Sequence, residues 1–543
     1  MTSSLIRGRP RRAASHIRVR VAHTVLGGVV SVAWLVSPGM TIGAQDPVPA
    51  ARAGPVADAA APGRTGTSPA DLVLPLVAVG TAGVLAGYAY VRRTRRARTR
   101  TTPGAPSSPA PAESDRRARA ALVAADDAVR TSREELAWAK ARSGPAAVEP
   151  FARALRAAET ELSAAFAIRR RYEEGLPGDD AARRQALVGV VGRCAEAGRR
   201  LATEAAAFDR LRALERDVGG ALDHAERRLR ALAGRTASTE ASAAGLGERY
   251  GPMAAEPVRG HAEQAKDRLL FATAELDRAR QAADCDDAGR AARHLRAAEG
   301  AIAQADIFIT GVERLADQLA EAAALVPSAL TGAEAELARA RGQVPRAPAV
   351  EPGATGRRAA DGTPAARPDT PPPPQGKAAA YRIPFGEFRA RLAHADAVLA
   401  AVRGKLTGGP YDPLDALRRI ARAVEPVGAG RSGAVPLAGF LAARSATAIA
   451  EDFVTTHRAA VGAEARTLLS EAVRVLAQGD SRAADELARR AREFAERDVR
   501  THGTPYVGES GYAAGLAGAV LGGVLLGEDP DGGPPARFGG ALC

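Results

Sequence analysis

The hydrophobic pattern changes three times along this 543-residue chain. Leu72–Val91, LVLPLVAVGTAGVLAGYAYV, runs twenty residues without a charge. Arg92, Arg93, Arg95, Arg96, Arg98 and Arg100 come directly after it. At 1.5 Å per residue such a stretch matches the roughly 30 Å hydrocarbon core of a bilayer. Basic residues resist translocation, so the arginines mark the cytoplasmic side. The pattern predicts one transmembrane helix at 72–91, with the chain before Leu72 outside and the chain after Val91 in the cytoplasm. Ahead of the span, Arg7, Arg9, Arg11, Arg12, Arg18 and Arg20 precede the apolar run Val25–Val36 and the small residues Ile42-Gly43-Ala44. That order predicts a signal peptide over 1–44. An uncleaved signal anchor would give the same topology.

Beyond 113 the period changes to that of helices. Leu211, Leu214, Val218, Leu222, Ala225, Leu229 and Leu232 fall at spacings of three and four, the stripe of one amphipathic helix. Leu295, Ala298, Ile302, Ala305 and Ile309 form a second stripe. Gly144-Pro145, Gly175–Gly178 and Gly245–Pro252 interrupt the pattern too often for a continuous coiled coil. Hairpins are expected about Cys285-Asp286-Asp287, Gly408-Gly409-Pro410 and Gly479-Asp480. They have no fixed repeat. The expected fold is all-α: signal peptide, one transmembrane helix, then cytoplasmic helical hairpins in coiled-coil-like bundles joined by disordered linkers.

The third pattern is apolar and glycine-rich. Tyr512–Leu526, YAAGLAGAVLGGVLL, is short for a span and carries Gly515, Gly518, Gly522 and Gly523. Two roles suit it: contact with a second copy or the lipid surface, and cover for the protein's own bundle. The organisation expected is therefore signal 1–44, external disordered linker 45–71, transmembrane helix 72–91, basic and Pro-rich linker 92–113, helical region one 114–343, Pro-rich linker 344–384, helical region two 385–500, and a glycine-rich apolar segment with a disordered tail over 501–543. Proteolysis is expected to cut first in the Pro-rich linker and leave two helix-rich fragments.

Charge alters this picture little. The net charge is +13. Residues 1–100 hold 14 arginines against Asp46, Asp58 and Asp71, which leaves +2 for the other 443 residues. The excess tracks the hydrophobic segments, so no nucleic-acid partner is expected. Cys194, Cys285 and Cys543 are too few and scattered for a disulfide framework or a metal site.

In this order of segments the chain resembles the membrane-anchored TPM-domain proteins of actinobacteria. The stretches that carry the likeness are FDRLRALE at Phe208–Glu215, RLLFATAELDRA at Arg268–Ala279, FVTTHRAAVGAEART at Phe453–Thr467 and GLAGAVLGGVLL at Gly515–Leu526. The resemblance implies a folded TPM domain outside the membrane, between signal and span. Here that interval is 45–71, too short to close such a core. The chain is similar to the family's anchor and cytoplasmic part, and no site residue carries over.

Motifs for chemistry are sparse. The sequence has no G-x-x-x-x-G-K-[ST], H-E-x-x-H or C-x-x-C. His224, His261, His294, His394 and His457 stand singly on expected helices, and Glu451-Asp452 and Asp286-Asp287 read as capping residues. The sequence therefore nominates no catalytic, cofactor-binding or metal residue and no cofactor. The expectation is a non-enzymatic scaffold or interaction protein of the bacterial envelope. Its expected partners are membrane lipid at Arg92–Arg100, a cytoplasmic protein, and a weak homo-oligomer aided by Gly83, Gly87 and Tyr512–Leu526. The alternatives are a subunit or enzyme with a site assembled in the helical bundle, and an envelope-sensing regulator acting through 45–71.

Overall fold

The computed structural model describes residues 111–342, 384–428, 430, 433–503, 511–526 and 533–540. The chain divides into two units, Met1–Ala105 and Pro106–Cys543, and every described residue lies in the second. The expected signal, span, arginine run and linkers lie outside the described residues. Among the described residues no helix is long and apolar enough to cross a membrane.

The described chain is helical. In order the helices are α1 (Pro111–Glu173), α2 (Asp180–Arg212), α3 (Val218–Ala233), α4 (Thr236–Tyr250), α5 (Pro252–Ala255), α6 (His261–Asp284), α7 (Ala288–Gly342), α8 (Phe385–Thr407), α9 (Pro413–Val424), α10 (Ala434–Thr456), α11 (Ala463–Ala477), α12 (Ser481–His502) and α13 (Gly511–Leu521). Several starts are set by aspartate caps. Asp179, Asp217, Asp412 and Asp480 each accept from a backbone N–H in the first turn of the helix they precede. α1 bends at Gly144, whose φ of 80° no other residue adopts cheaply.

Two expectations about helix ends need correction. The stripe from Leu211 to Leu232 belongs to two helices, because α2 stops at Arg212 and Ala213 turns left-handed (φ 47°) before Asp217 caps α3. Both halves of the stripe still face apolar neighbours, so the spacing alone hides the turn. The break expected over 245–252 shrinks to Gly251, since α4 runs on to Tyr250. The hairpins at 285–287, 408–410 and 479–480 join α6 to α7, α8 to α9 and α11 to α12.

Among the described residues, the four largest apolar centres hold the helices together. The bent α1 and α2 enclose Leu122, Phe151, Leu162, Leu201 and Phe208. The amino-terminal half of α7 packs Leu295, Ile302 and Ile309 against α3 and α6. Its carboxy-terminal half packs Leu319, Val326 and Leu330 against Leu399 of α8, Leu417 and Ile420 of α9, and Leu441 of α10. Val454, Leu468, Leu469 and Ala491 tie α10, α11 and α12. The single helix α7, 55 residues or about 80 Å long, therefore runs through two cores. The two helical regions separated in sequence by 344–384 share one of these cores.

Buried ion pairs add a second tie across the same seam. Arg130 of α1 donates to Asp126 (2.9 Å) and to Glu451 of α10 (2.6 Å). Arg458, just past α10, donates to Glu134 of α1 (2.8 Å). Arg466 of α11 is fully buried and reaches Asp126 (2.5 Å) and Asp127 (2.7 Å). Burial pushes the Asp126 carboxyl up, but Arg130 and Arg466 outweigh it and hold it below the usual range. At Asp127 burial wins and the carboxyl lies above its ordinary value.

The glycine-rich segment rests on its own chain. α13 lies along α6, and its Ala519 joins the core of α6 and α7. A side chain at Gly515 would overlap the Asp267 carbonyl, one at Gly518 the Arg268 guanidinium, and one at Gly522 the Gln304 amide. Gln304 donates to the Gly522 carbonyl (2.8 Å), and Arg458 donates to that of Gly523 (3.0 Å). Further on, Phe538 stacks on Phe208 with ring centres 4.3 Å apart.

Candidate functional site

One face of α10 carries Ser445, Ile449, Asp452 and Thr456, spaced four, three and four. Residues so spaced share a helix face. Opposite them α7 presents Gly311, Arg314, Leu315 and Gln318, also at helical spacing. The two faces leave a slot with two parts. The outer part is a cleft of about 280 Å³ between α5, α9, α10 and α12. Leu315, Leu414 and Ile449 give it an apolar floor, and Arg489, Arg492, Glu493 and Glu496 of α12 line its rim. The inner part holds about 20 Å³, room for one water-sized group. Pro257, Leu315, Ile449 and Arg492 line both parts.

The inner end is polar. His261 is the first residue of α6, after the left-handed Gly260. Its imidazole lies edge-on to the Phe308 ring at 5.1 Å. Its Nδ1 is shielded from solvent and has no partner. Asp452 forms an ion pair with Arg314. His457 closes α10, stacks on Phe453 at 4.3 Å, and hydrogen-bonds the Phe453 carbonyl through Nδ1 (3.1 Å).

Burial dominates the acid–base properties of this end. Both histidines are pushed down to about 4, first by burial; Arg492 adds to this at His261 and Arg268 at His457. Asp452 is pushed up to about 6 by burial, against the pull of Arg314. At neutral pH both rings are therefore uncharged. A ring that holds protons so weakly serves better to accept a hydrogen bond than to abstract a proton.

The structure thus joins three residues the sequence shows singly: His261, His457 and the Asp452 half of an acidic pair. It disperses the others. Glu451 turns away to Arg130. His224 lies edge-on to Trp138 at 5.6 Å, His294 bonds Glu275 at 2.8 Å, and His394 is exposed. Asp287 caps α7 by accepting from Arg290, and Asp286 takes the left-handed turn. Cys194 is buried, with its thiol raised to about 12, and Cys285 is exposed. Among the described residues no group of three or more His, Cys, Asp or Glu residues is arranged to hold a metal ion. Sequence reasoning misses Gly311, Arg314, Ser445 and Arg492. The only hint is a glycine inside an otherwise strong helical stretch.

No family model matches the chain, and no solved structure matches it. A UPF0603 protein of Mycobacterium tuberculosis, found in two strains of that organism, is 29% identical over 438 residues. The alignment covers 78% of this chain and 62% of the relative. The chain is thus similar to an actinobacterial UPF0603 protein and spans about three fifths of that relative's length. The likeness supports the actinobacterial part of the resemblance read from the sequence; a TPM domain is not among what the comparisons show.

Proposed function

We propose that this protein is a membrane-anchored helical scaffold of the actinobacterial envelope, with its helical part in the cytoplasm, acting by binding rather than by catalysis. The observation that carries the reading is the shared core of α7 with α8, α9 and α10, reinforced by the buried arginine bridges between α1 and the end of α10. Such ties hold long helices in fixed relative positions, as a docking body requires. The span at 72–91 and the arginines after it support the anchor, and the same arginines suit anionic lipid headgroups. The likeness to a UPF0603 protein of Mycobacterium tuberculosis supports the actinobacterial setting. That relative's greater length leaves room for a domain that 45–71 does not hold.

Two measurements test the proposal. A reporter fused after Arg100 is expected to work only in the cytoplasm, and one fused near Pro55 only outside; the opposite pattern refutes the topology. Purification from detergent-solubilised membranes is expected to bring down a stoichiometric cytoplasmic protein. A protein that always purifies alone, with turnover traced to the slot, would favour the second reading. That reading is a subunit or enzyme whose site is assembled in the bundle, and its support is the convergence of His261, Asp452 and His457.

A further inference from the structure

Where α1, the end of α2 and α7 meet, the contact closes over charge. Arg212 is the last residue of α2, and its side chain is 2% exposed. Its guanidinium faces two carboxylates at once. Glu135 of α1 stands 3.2 Å from its Nε, and Glu299 of α7 pairs with its Nη2. Both glutamates are buried. The neighbouring guanidiniums are matched elsewhere. Arg296 of α7 donates to Asp209 of α2 (2.9 Å), Arg458 donates to Glu134 of α1 (2.8 Å), and Arg142 pairs with Asp217. On α6, Glu275 is taken by Arg278 and by His294 of α7. His224 of α3 stands edge-on to the Trp138 ring. Two buried carboxylates are thus left with one guanidinium between them.

Such a set carries one negative charge too many. Uncompensated charge is costly away from water, and two carboxylates sharing a site favour keeping one proton. Burial pushes the Glu299 carboxyl up to about 7; the Glu135 charge adds to the rise, while Arg212 and Arg296 pull the other way. The native state therefore binds more protons than the unfolded chain between 4.5 and about 7. The contribution of this contact is whole in acid and is lost as pH rises through neutrality. Relief lies alongside. A space of about 20 Å³, room for one water, is lined by Glu135, Trp138, Glu299 and Val524. Once the proton leaves, water drawn in there solvates the carboxylates at the expense of the contact between α1 and α7.

We propose that Glu135, Glu299 and Arg212 form a pH-operated joint, which clamps α1 to α7 while the two glutamates share a proton and loosens once that proton is lost. The joint lies outside the slot and is independent of the scaffold reading, which stands or falls on topology and partners.

Trp138 reports on the joint from within. The chain's other tryptophan is Trp34, so Trp34→Phe in the full-length protein in detergent leaves one fluorophore. Its emission is expected to change in a single transition near pH 7. Glu299→Gln is expected to abolish that transition. Glu135→Gln leaves Glu299 alone with Arg212 and is expected to move it down by at least one pH unit, a tenfold change in proton affinity. His224→Gln removes the other titratable ring beside Trp138 and is expected to leave the transition in place. Hydrogen exchange over residues 131–139 supplies a readout of loosening. At pH 8.5 it is expected to be about tenfold faster in the unmodified protein than in Glu299→Gln, and at pH 5.5 equal in the two. The proposal is overturned if the emission is flat between pH 5.5 and 8.5, or if the transition disappears with His224→Gln. It is equally overturned if the transition survives Glu299→Gln, stays in place in Glu135→Gln, or comes with an exchange ratio that does not vary with pH. Should Glu299→Gln fail to fold, the transition of the unmodified protein and its displacement in Glu135→Gln decide the matter.

Discussion

Arg466 shows how much a single buried side chain decides here. Its guanidinium serves Asp126, Asp127 and the carbonyls of Val461 and Arg458. Arg466→Met keeps the volume and removes the charge. Asp126 retains Arg130, but Asp127, whose side chain is 35% exposed, loses the hydrogen bond from Arg466. A loss of about 3–5 kcal/mol is expected, as for other buried pairs broken from one side. Urea unfolding at neutral pH measures it. The histidines give a pH-dependent counterpart. His261 and His457 hold protons less well folded than unfolded, so the unfolded chain binds more protons between about pH 4 and the ordinary imidazole value of 6.5. Their contribution is present at neutral pH and is lost as pH falls through that window. Asp452 has the opposite sign: its raised folded value makes the native state bind more protons between about 3.8 and 6, so its contribution is lost as pH rises through that range. Relative to the unmodified protein, His457→Gln is therefore expected to fare better at pH 4.5 than at pH 7, and Asp452→Asn worse. Urea midpoints at the two pH values check both signs.

At the scale of the element, α13 shows what glycine spacing can and cannot reveal. The sequence exposes a stripe of small residues and leaves its partner open. The structure seats Gly515 on the backbone of α6, Gly518 on Arg268 and Gly522 on Gln304. Arg268 is buried without a carboxylate; its Nε donates to Gln304 (2.8 Å), and the last turn of α13 covers it. The partial negative charge of a helix's carboxyl end suits a guanidinium there. Alanine raises helix propensity wherever it replaces glycine. At Gly245 in α4, where nothing lies within 4 Å, Gly→Ala is expected to stabilise by about 0.4–1 kcal/mol. At Gly515 the same change drives a methyl into the Asp267 carbonyl and is expected to destabilise by about 1–3 kcal/mol. Thermal unfolding of the two variants separates packing from propensity. A homo-oligomer of the kind expected from these glycines must use another surface or an exchange of this segment between copies.

The whole molecule shows where sequence periodicity stops. Helices and turns were legible because aspartate caps and glycine turns act over three or four residues, and the stripe from Leu295 to Ile309 is buried throughout. His261, Gly311 and Asp452 lie scores of residues apart, so nothing local announces that they meet. The two regions flanking 344–384 likewise read as separate, because a Pro-rich stretch resembles a boundary between bodies. In space, Leu319, Val326 and Leu330 before it and Leu399, Leu417 and Leu441 after it form one core. A cut between the regions therefore leaves this apolar contact in place. Each fully buried leucine or valine contributes about 1.5–3 kcal/mol relative to exposure. With a specific protease site inserted in 350–376 and cleaved, the two pieces are expected to co-elute on size exclusion and to part only in denaturant. Residues 106–342 expressed alone are expected to aggregate, since the carboxy-terminal half of α7 would expose its apolar face. Two cleaved pieces that separate in native buffer, each soluble and helical, would show instead that the regions are independent bodies.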